Sequence, residues 1–255
     1  LMADLNSVAK KENPIPPGQW VALLPGSKKA KLCIGIPFFL ELADHLSQKS
    51  PNCKFLLPIA PTTNVKEFIE LSSSKNPISK KYISGIKTII DAKDNYPWRQ
   101  LITKQGTTIY LEENHPSYGY LSQCDLAITT VGANTAELGA LAIPMIVIIP
   151  TQHINVMEAW DGLLGIIGRM PVFKYFFGLA ISLWRLRKRG FMAWPNISSN
   201  KLIVPEIIGK ISPLEIAIEA ESWLRSKERL KGQKEDLESL RGKSGATESI
   251  SLEII

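Results

Sequence analysis

A glycine-serine turn followed by lysines could bind a phosphate group. The apolar run that ends at Leu24 predicts a buried strand, and Gly26, Ser27 and Lys28 follow it closely. At the carboxyl end of a strand in an open α/β sheet, glycine lets the backbone approach a ligand, and exposed N–H groups face an anion. A plain strand-to-helix turn with solvated lysines fits the same residues. This segment alone leaves both interpretations open.

A second candidate site follows the apolar run at 126–130. Gly132 comes just after that predicted strand, Asn134 could cap a helix, and Thr135 and Glu137 would lie near the start of the helix. Such a helix N-terminus suits a diphosphate, and a carboxylate one turn further suits a ribose diol. Asn134 and Glu137 are three residues apart, so they could instead form a capping box that only stabilises the helix.

Two other polar residues are candidates. Asn196 follows a proline in a segment that we expect to be extended between helices, where it could hydrogen-bond a base or a sugar, or cap a turn. His153 lies just beyond a predicted strand and has a side chain that titrates near neutral pH. It could be a general acid or base, or cap a helix.

An aromatic and aliphatic segment, 173–184, is followed directly by a cluster of cations. These are Arg185, Arg187, Lys188 and Arg189. Apolar bulk next to clustered cations is typical of a segment that docks on an anionic membrane surface, and we expect 173–191 to do so. The alternative is a buried helix whose basic C-terminal end is stabilised by its own dipole.

Strands and helices alternate around these candidate sites. The predicted strands are 20–24, 54–58, 107–111, 126–130 and 145–149, and the predicted helices are 37–47, 65–71, 116–123 and 135–141. This alternation predicts an α/β fold with a doubly wound, mainly parallel sheet. We expect shorter closing helices over 205–229 and a solvated, Lys/Glu-rich helix face over 225–244.

The length allows one large domain or two small ones, and the composition is that of an ordinary globular protein. The chain has 255 residues, 45% hydrophobic and 21% charged, which suffices for a real core. We predict a linker at 1–18, a domain at 19–230, and a charged tail or closing helix at 231–255, with a preceding domain expected upstream.

Charge and cysteine spacing restrict the possible binding partners and the cellular compartment. The net charge of +6 favours phosphates, nucleic acid or acidic lipid, and does not choose among them. Cys33, Cys53 and Cys124 are far apart, which argues for reduced thiols and against a structural zinc site. No apolar run reaches the roughly 18 residues that span a bilayer, so we expect a cytoplasmic protein, free or bound to a membrane face.

Three motifs together resemble the lipid-A-disaccharide synthase family. These are Leu-Pro-Gly-Ser at 24–27, Gly-x-x-Thr-x-Glu at 132–137 with Pro-Met at 144–145, and Pro-Asn at 195–196 with Val-Pro-Glu at 204–206. They occur in that family's order and approximate spacing, over roughly 20–225 of this chain. The resemblance implies a Rossmann-like domain, the C-terminal half of a GT-B glycosyltransferase. It also implies inverting transfer of a diacylglucosamine from UDP to a glycolipid without metal or cofactor.

The resemblance also implies roles for individual residues. Matching positions are Gly26 and Ser27 at the phosphates, Gly132, Asn134 and Thr135 at the diphosphate, Glu137 at the ribose and Asn196 near the donor. Lys28 stands where the family usually has arginine. The guanidinium group of arginine can bind a phosphate through two hydrogen bonds, whereas the ammonium group of lysine is a point charge. The segment at 131–135 is stretched relative to the family's Ser-Gly-Thr. Both departures indicate a divergent relative.

A neighbouring segment is similar to a different transferase family. Residues 150–153 resemble the enzyme that adds N-acetylglucosamine to lipid-linked muramyl-pentapeptide, and Glu158 stands where that family has a sugar-contacting glutamine. Glu158 could therefore hold a donor hydroxyl, or it could be a solvated helix residue.

The resemblance leads to one main hypothesis and two alternatives. We expect a UDP-sugar donor, a glycolipid acceptor, an anionic membrane at the inner face and no nucleic acid, with the catalytic base on an N-terminal half that this chain lacks. The alternatives are a non-catalytic UDP-sugar-binding or membrane-docking module, and another lipid-directed GT-B transferase.

Overall fold

Eight strands form one sheet in the computed structural model, which describes residues 14–73, 76–92, 97–152 and 190–241. The strands are β1 Gln19–Leu24, β2 Cys53–Pro58, β3 Ile86–Ile90, β4 Arg99–Thr103, β5 Thr108–Glu112, β6 Leu126–Thr130, β7 Met145–Pro150 and β8 Glu206–Gly209. Their order is β3-β4-β5-β2-β1-β6-β7-β8. All pairings from β5 to β8 along this order are parallel, and β4 pairs antiparallel with both β3 and β5. The prediction of a mainly parallel sheet is confirmed.

Helices cover both faces of this sheet. They are α1 Lys29–Lys49, α2 Val65–Ser72, α3 Tyr118–Leu121, α4 Ala133–Ala140, α5 Trp194–Ser199, α6 Pro213–Arg225 and α7 Lys227–Ser239, with a 3-10 turn at Ser79–Lys81. Apolar residues of α1, α2 and α6 pack on one face. Those of α3, α4 and α7 pack on the other. The central strands β1, β6 and β7 are therefore buried on both sides, which explains why they are continuous apolar runs.

The first helix is longer than predicted because it continues through a proline. We predicted a helix from residue 37, and α1 begins at Lys29 with Pro37 in its interior. Proline has no N–H group, so the carbonyl four residues earlier, on Cys33, loses its helical partner. The buried side chain of Asn76 replaces that partner, since its Nδ2 donates to the Cys33 carbonyl at 2.7 Å. Neither segment alone reveals this compensation.

Three strands and one helix were not predicted. The hairpin β3-β4 is partly exposed and lacks a long apolar run. The region from residue 205 begins with β8, where we expected a helix. Asn196 lies in α5 and not in an extended segment, because Pro195 occupies the first turn of that helix, where its missing N–H is tolerated.

Several predictions concern residues outside the described ranges. His153, Glu158 and residues 173–189 are among them, as are 1–13 and 242–255. Within the described ranges, no helix combines the length and apolar character needed to cross a bilayer.

Candidate functional site

The candidate site lies where the strand order reverses, between β1 and β6. From β1 the chain continues to β2 on one side, and β6 pairs with the other side of β1, with Leu24 beside Thr129. The helices that follow these strands, α1 and α4, pack on opposite faces of the sheet. Such a reversal leaves a crevice at the carboxyl ends of the two strands, where open α/β sheets bind ligands. The first two candidate segments therefore meet at this crevice.

Gly26 forms the turn that follows β1. Its φ of +108° is a conformation that side-chain-bearing residues rarely adopt, and a Cβ atom here would lie 3.4 Å from Thr130 Oγ1 at the end of β6. Ser27 and Lys28 are exposed just beyond it. The Ser27 carbonyl accepts a hydrogen bond from Thr62 Oγ1 at 3.1 Å. The turn thus presents its backbone and the two exposed side chains at the edge of the crevice.

Gly132 forms the facing turn and is the N-cap residue of α4, in place of the predicted Asn134. Its φ is +149°, and it is the residue before α4. We expected Asn134 to cap this helix, but Asn134 lies inside the first turn and the N-cap makes no side-chain hydrogen bond. The capping-box alternative, with Asn134 and Glu137, is therefore wrong. The helix starts earlier because glycine, and not asparagine, takes the unusual backbone conformation that the turn requires.

Thr135 is turned inward, towards other parts of the protein. It is buried, its Oγ1 donates to the Gly132 carbonyl at 2.8 Å, and the same oxygen accepts a hydrogen bond from the backbone N–H of Trp194 at 3.1 Å. The hydroxyl group therefore fixes the Gly132 turn and ties it to α5. This geometry supports an indirect role in shaping the site.

Lys31 lies between the two glycine turns and was missed in the sequence. Its Cβ and Cδ would each be 3.2 Å from a Cβ atom at Gly26, and its Nζ would be 3.6 Å from one at Gly132. Nζ donates to the Val131 carbonyl at 2.9 Å. The sequence offered one indication of this role: Lys28 and Lys31 are three residues apart, a spacing that places two cations on the same side of a helix start.

An apolar cleft adjoins Lys31. It is open to solvent, and among the described residues its lining includes Lys31, Ile34, Phe38, Thr130 and Ile149. Burial lowers the pKa of Lys31, and the nearby Lys28 lowers it further. Thr130 Oγ1 is buried and has no hydrogen-bond partner within the described part of the chain. The crevice thus holds one half-buried amine and one unsatisfied hydroxyl group.

Glu137 is a half-buried carboxylate one turn into α4. Burial raises its pKa. Burial also raises the pKa of Tyr118 in α3, and the negative charge of Glu137 adds to that rise. The carboxylate therefore lies near α3, in surroundings less polar than water, where a hydrogen bond to a ligand would be stronger than in solvent.

Asn196 is fully buried, and its side chain is occupied within the protein. Its Nδ2 donates to the Val204 carbonyl and to Glu206 Oε1, both at 2.8 Å, while its Oδ1 accepts from the N–H groups of Ile203 and Val204. Glu206 Oε1 also accepts from the Ala193 N–H at 2.9 Å. Asn196 therefore holds the segment that carries α5, and the structure does not bring its amide to the crevice.

Family models and solved structures show little likeness to this chain. No family model matches the chain. Two solved structures align with 93% of it at low scores: an apo structure of OtsA, with a TM-score of 0.45, 12% identity and 46% of that chain covered, and a trehalose-6-phosphate synthase OtsA, with a TM-score of 0.42, 11% identity and 44% covered.

Curated proteins share a higher sequence identity with this chain than those structures do. Lipid-A-disaccharide synthases of Nitrosococcus oceani, Syntrophus aciditrophicus and Sulfurihydrogenibium sp. are 26%, 27% and 25% identical over 89%, 88% and 91% of this chain. The matches cover 44%, 45% and 49% of those relatives, so the chain spans less than half of their length. The resemblance to lipid-A-disaccharide synthases is confirmed.

Proposed function

We propose that this chain is the nucleotide-sugar-binding half of a glycosyltransferase similar to lipid-A-disaccharide synthases. The observation that carries the proposal is the meeting of the Gly26 and Gly132 turns around Lys31 at the carboxyl ends of β1 and β6. Two backbone turns with a cation between them suit a diphosphate. The similarity over about nine-tenths of the chain supports the same function.

The diphosphate of UDP would lie between the two turns, with the ribose diol on Glu137. Ser27, Lys28 and the backbone at Asn134 would contact the phosphates. Donors and cations preorganised in this way stabilise the negative charge that develops on a departing UDP, which is how a glycosyl transfer without metal proceeds. The sugar would be an acylated glucosamine, transferred with inversion to a glycolipid.

The rest of the enzyme would supply the acceptor site and the catalytic base. Since the chain corresponds to less than half of its relatives, we expect it to bind the donor and to turn over little or none by itself. Acylated substrates place the reaction at a membrane, and we propose that the protein works on the inner face of the membrane as a peripheral protein.

Titration calorimetry with UDP tests this function, with Glu137→Gln as the diagnostic variant. Loss of charge-assisted hydrogen bonds to a diol should weaken binding by about 1–3 kcal/mol. Because the pKa of Glu137 is raised, the wild-type affinity should fall as the pH is lowered through that pKa, while the variant should be insensitive over the same range. EDTA should not change either affinity.

The control is Glu235→Gln, which removes an exposed carboxylate of α7. It should bind UDP as the wild type does. A wild-type chain that fails to bind UDP would refute the proposed function, and unchanged binding by Glu137→Gln would remove Glu137 from the site.

A further inference from the structure

Three lysines lie within one turn of the start of α1, and their environments differ. Lys28 is exposed and lies just beyond the Gly26 turn. Lys29 is exposed and pairs with Glu67 of α2 at 3.0 Å, away from the crevice. Lys31 is half-buried and reaches the carbonyl of Val131, in the segment that joins β6 to the Gly132 turn. Lys31 thus lies close to both glycine turns, since its side chain would contact a Cβ atom at Gly26 and its Nζ would be 3.6 Å from one at Gly132.

The Thr130 hydroxyl group is the second unusual feature. It lies 3.4 Å from where a Cβ atom of Gly26 would be, on the lining of the same cleft as Lys31. A buried hydroxyl group without a partner costs free energy, and native proteins rarely leave one unsatisfied. Among the described residues the Thr130 hydroxyl group has no hydrogen-bond partner, and a ligand in the crevice would supply one.

We propose that Lys31 and Thr130 together bind a phosphate of the nucleotide between the two glycine turns. An ammonium group has three N–H donors, so Lys31 can bind a phosphate oxygen while the Val131 carbonyl holds Nζ in position. The Thr130 hydroxyl group donates to a second oxygen. This inference rests on the function proposed above and adds the two side chains that distinguish a phosphate-bearing ligand from a neutral one.

The environment strengthens this contact. Lys31 is half-buried and lines a largely apolar cleft, which weakens the hydration of its amine and makes its attraction to a phosphate stronger than that of an exposed lysine. Screening by salt is weaker for a partly buried pair than for an exposed one, but a direct ionic contact still adds to the salt dependence of binding. Loss of the Lys31 charge should therefore change both the affinity and its response to salt.

Calorimetry with UDP on the full chain tests the proposal through three variants. Lys31→Gln should weaken binding at least tenfold and reduce its salt dependence. Lys29→Gln has the same change in net charge on the same helix and should stay within twofold of the wild type.

Thr130→Val separates a ligand contact from a structural role. In the ligand-free protein this change replaces an unpartnered hydroxyl group with a methyl group of the same shape, so the melting temperature should be unchanged or higher. Its affinity for UDP should nevertheless fall severalfold. A mutation that stabilises the fold while weakening UDP binding is not expected from damage to the loop.

The outcomes separate the two proposals. If the wild type binds UDP and both Lys31→Gln and Thr130→Val bind it equally well, the phosphate assignment is overturned and the proposed function stands. If Lys31→Gln loses affinity only together with melting temperature and keeps the wild-type salt dependence, Lys31 is structural and the assignment is also overturned. If the wild type binds no UDP, the proposed function itself has failed.

Discussion

Asp44 is a buried carboxylate that anchors α1 far from the crevice. Its Oδ1 accepts a hydrogen bond from Thr103 Oγ1 at 2.5 Å, at the end of β4, and its other oxygen accepts from Ser84 Oγ. The Thr103 oxygen in turn accepts from the Thr107 N–H at 3.0 Å. One carboxylate thus connects the helix that carries Lys31 to the antiparallel part of the sheet.

This burial predicts a pH dependence of stability. Burial raises the pKa of Asp44, so the folded state binds the proton more tightly than the unfolded state. The resulting stabilisation is complete below the unfolded pKa of about 3.9 and is lost as the pH rises through the higher folded pKa. Asp44→Asn cannot titrate, so its unfolding free energy relative to wild type should increase over that pH range. Urea unfolding at several pH values measures this difference.

An exposed carboxylate provides the control for Asp44. Asp236→Asn, in α7, should shift the unfolding free energy by a small, nearly constant amount across the same range. A pH-independent difference between Asp44→Asn and wild type would contradict the interpretation of Asp44.

Individual site residues were predictable where a special backbone conformation required one residue type. Gly26 and Gly132 were identified because the turns exclude other residues. Lys31 was missed because its role depends on Val131, 100 residues away in the chain. Asn196 was identified as a candidate, but the sequence did not reveal that Glu206 and Val204 occupy its amide. Long-range hydrogen bonds decide which polar side chains remain available to a ligand.

At the scale of elements, Gly35 sets how closely α1 approaches the Gly26 turn. A Cβ atom at Gly35 would lie 2.7 Å from the Cβ and 2.8 Å from the backbone oxygen of Pro25, and both atoms belong to the end of the strand-turn segment. These distances are too short, so any side chain must push α1 away from the turn. A glycine inside a helix thus positions the crevice.

This contact predicts opposite effects for two equivalent mutations. Alanine normally stabilises a helix by up to about 1 kcal/mol relative to glycine. Gly232→Ala in α7 should show that gain, because among the described residues, apart from the backbone of its own helix, no heavy atom lies within 4 Å of its Cβ position. Gly35→Ala should instead lower the unfolding free energy and weaken UDP binding. Chemical denaturation measures the unfolding free energy of both variants, and calorimetry measures their affinity for UDP. A stabilised Gly35→Ala variant would show that α1 shifts without cost.

Elements were predictable where burial gives a continuous or periodic pattern. β6 at 126–130 matches its predicted bounds because every parallel neighbour contributes to its burial. β3 was missed because only Ile86 and Ile89 approach the core, without the alternation of a regular strand, and neither is fully buried. α1 was predicted too short, since Pro37 is a strong local signal for a helix start and the compensating Asn76 is 39 positions further along the chain.

At the scale of the whole molecule, the sheet class was predictable and the strand order was not. Alternating strands and helices indicate parallel pairing wherever the connections are long. The reversal between β1 and β6 depends on which strand pairs with which, a tertiary property, and it is this reversal that places the two glycine turns together. Periodicity carries no information about that pairing.

The net charge of +6 also acts at this scale, because a basic protein is attracted to anionic membranes. We predict that residues 173–191 concentrate this attraction. Each cation near an anionic surface contributes about 1 kcal/mol, so the four cations of this segment could hold the protein while its apolar residues insert shallowly. Neutralising Arg185, Arg187, Lys188 and Arg189 to glutamine should release the protein from anionic vesicles in a co-sedimentation assay.

A four-fold variant elsewhere tests whether position or total charge matters. Arg225→Gln, Lys227→Gln, Lys231→Gln and Lys234→Gln remove the same charge from exposed positions of α6 and α7. If the 173–191 segment docks the protein, this control should stay on anionic vesicles, because the four cations of that segment remain in place. High salt should release both the wild type and the control. Equal loss of binding in the two variants would assign the attraction to net charge alone, and equal wild-type binding to neutral vesicles would exclude an electrostatic origin.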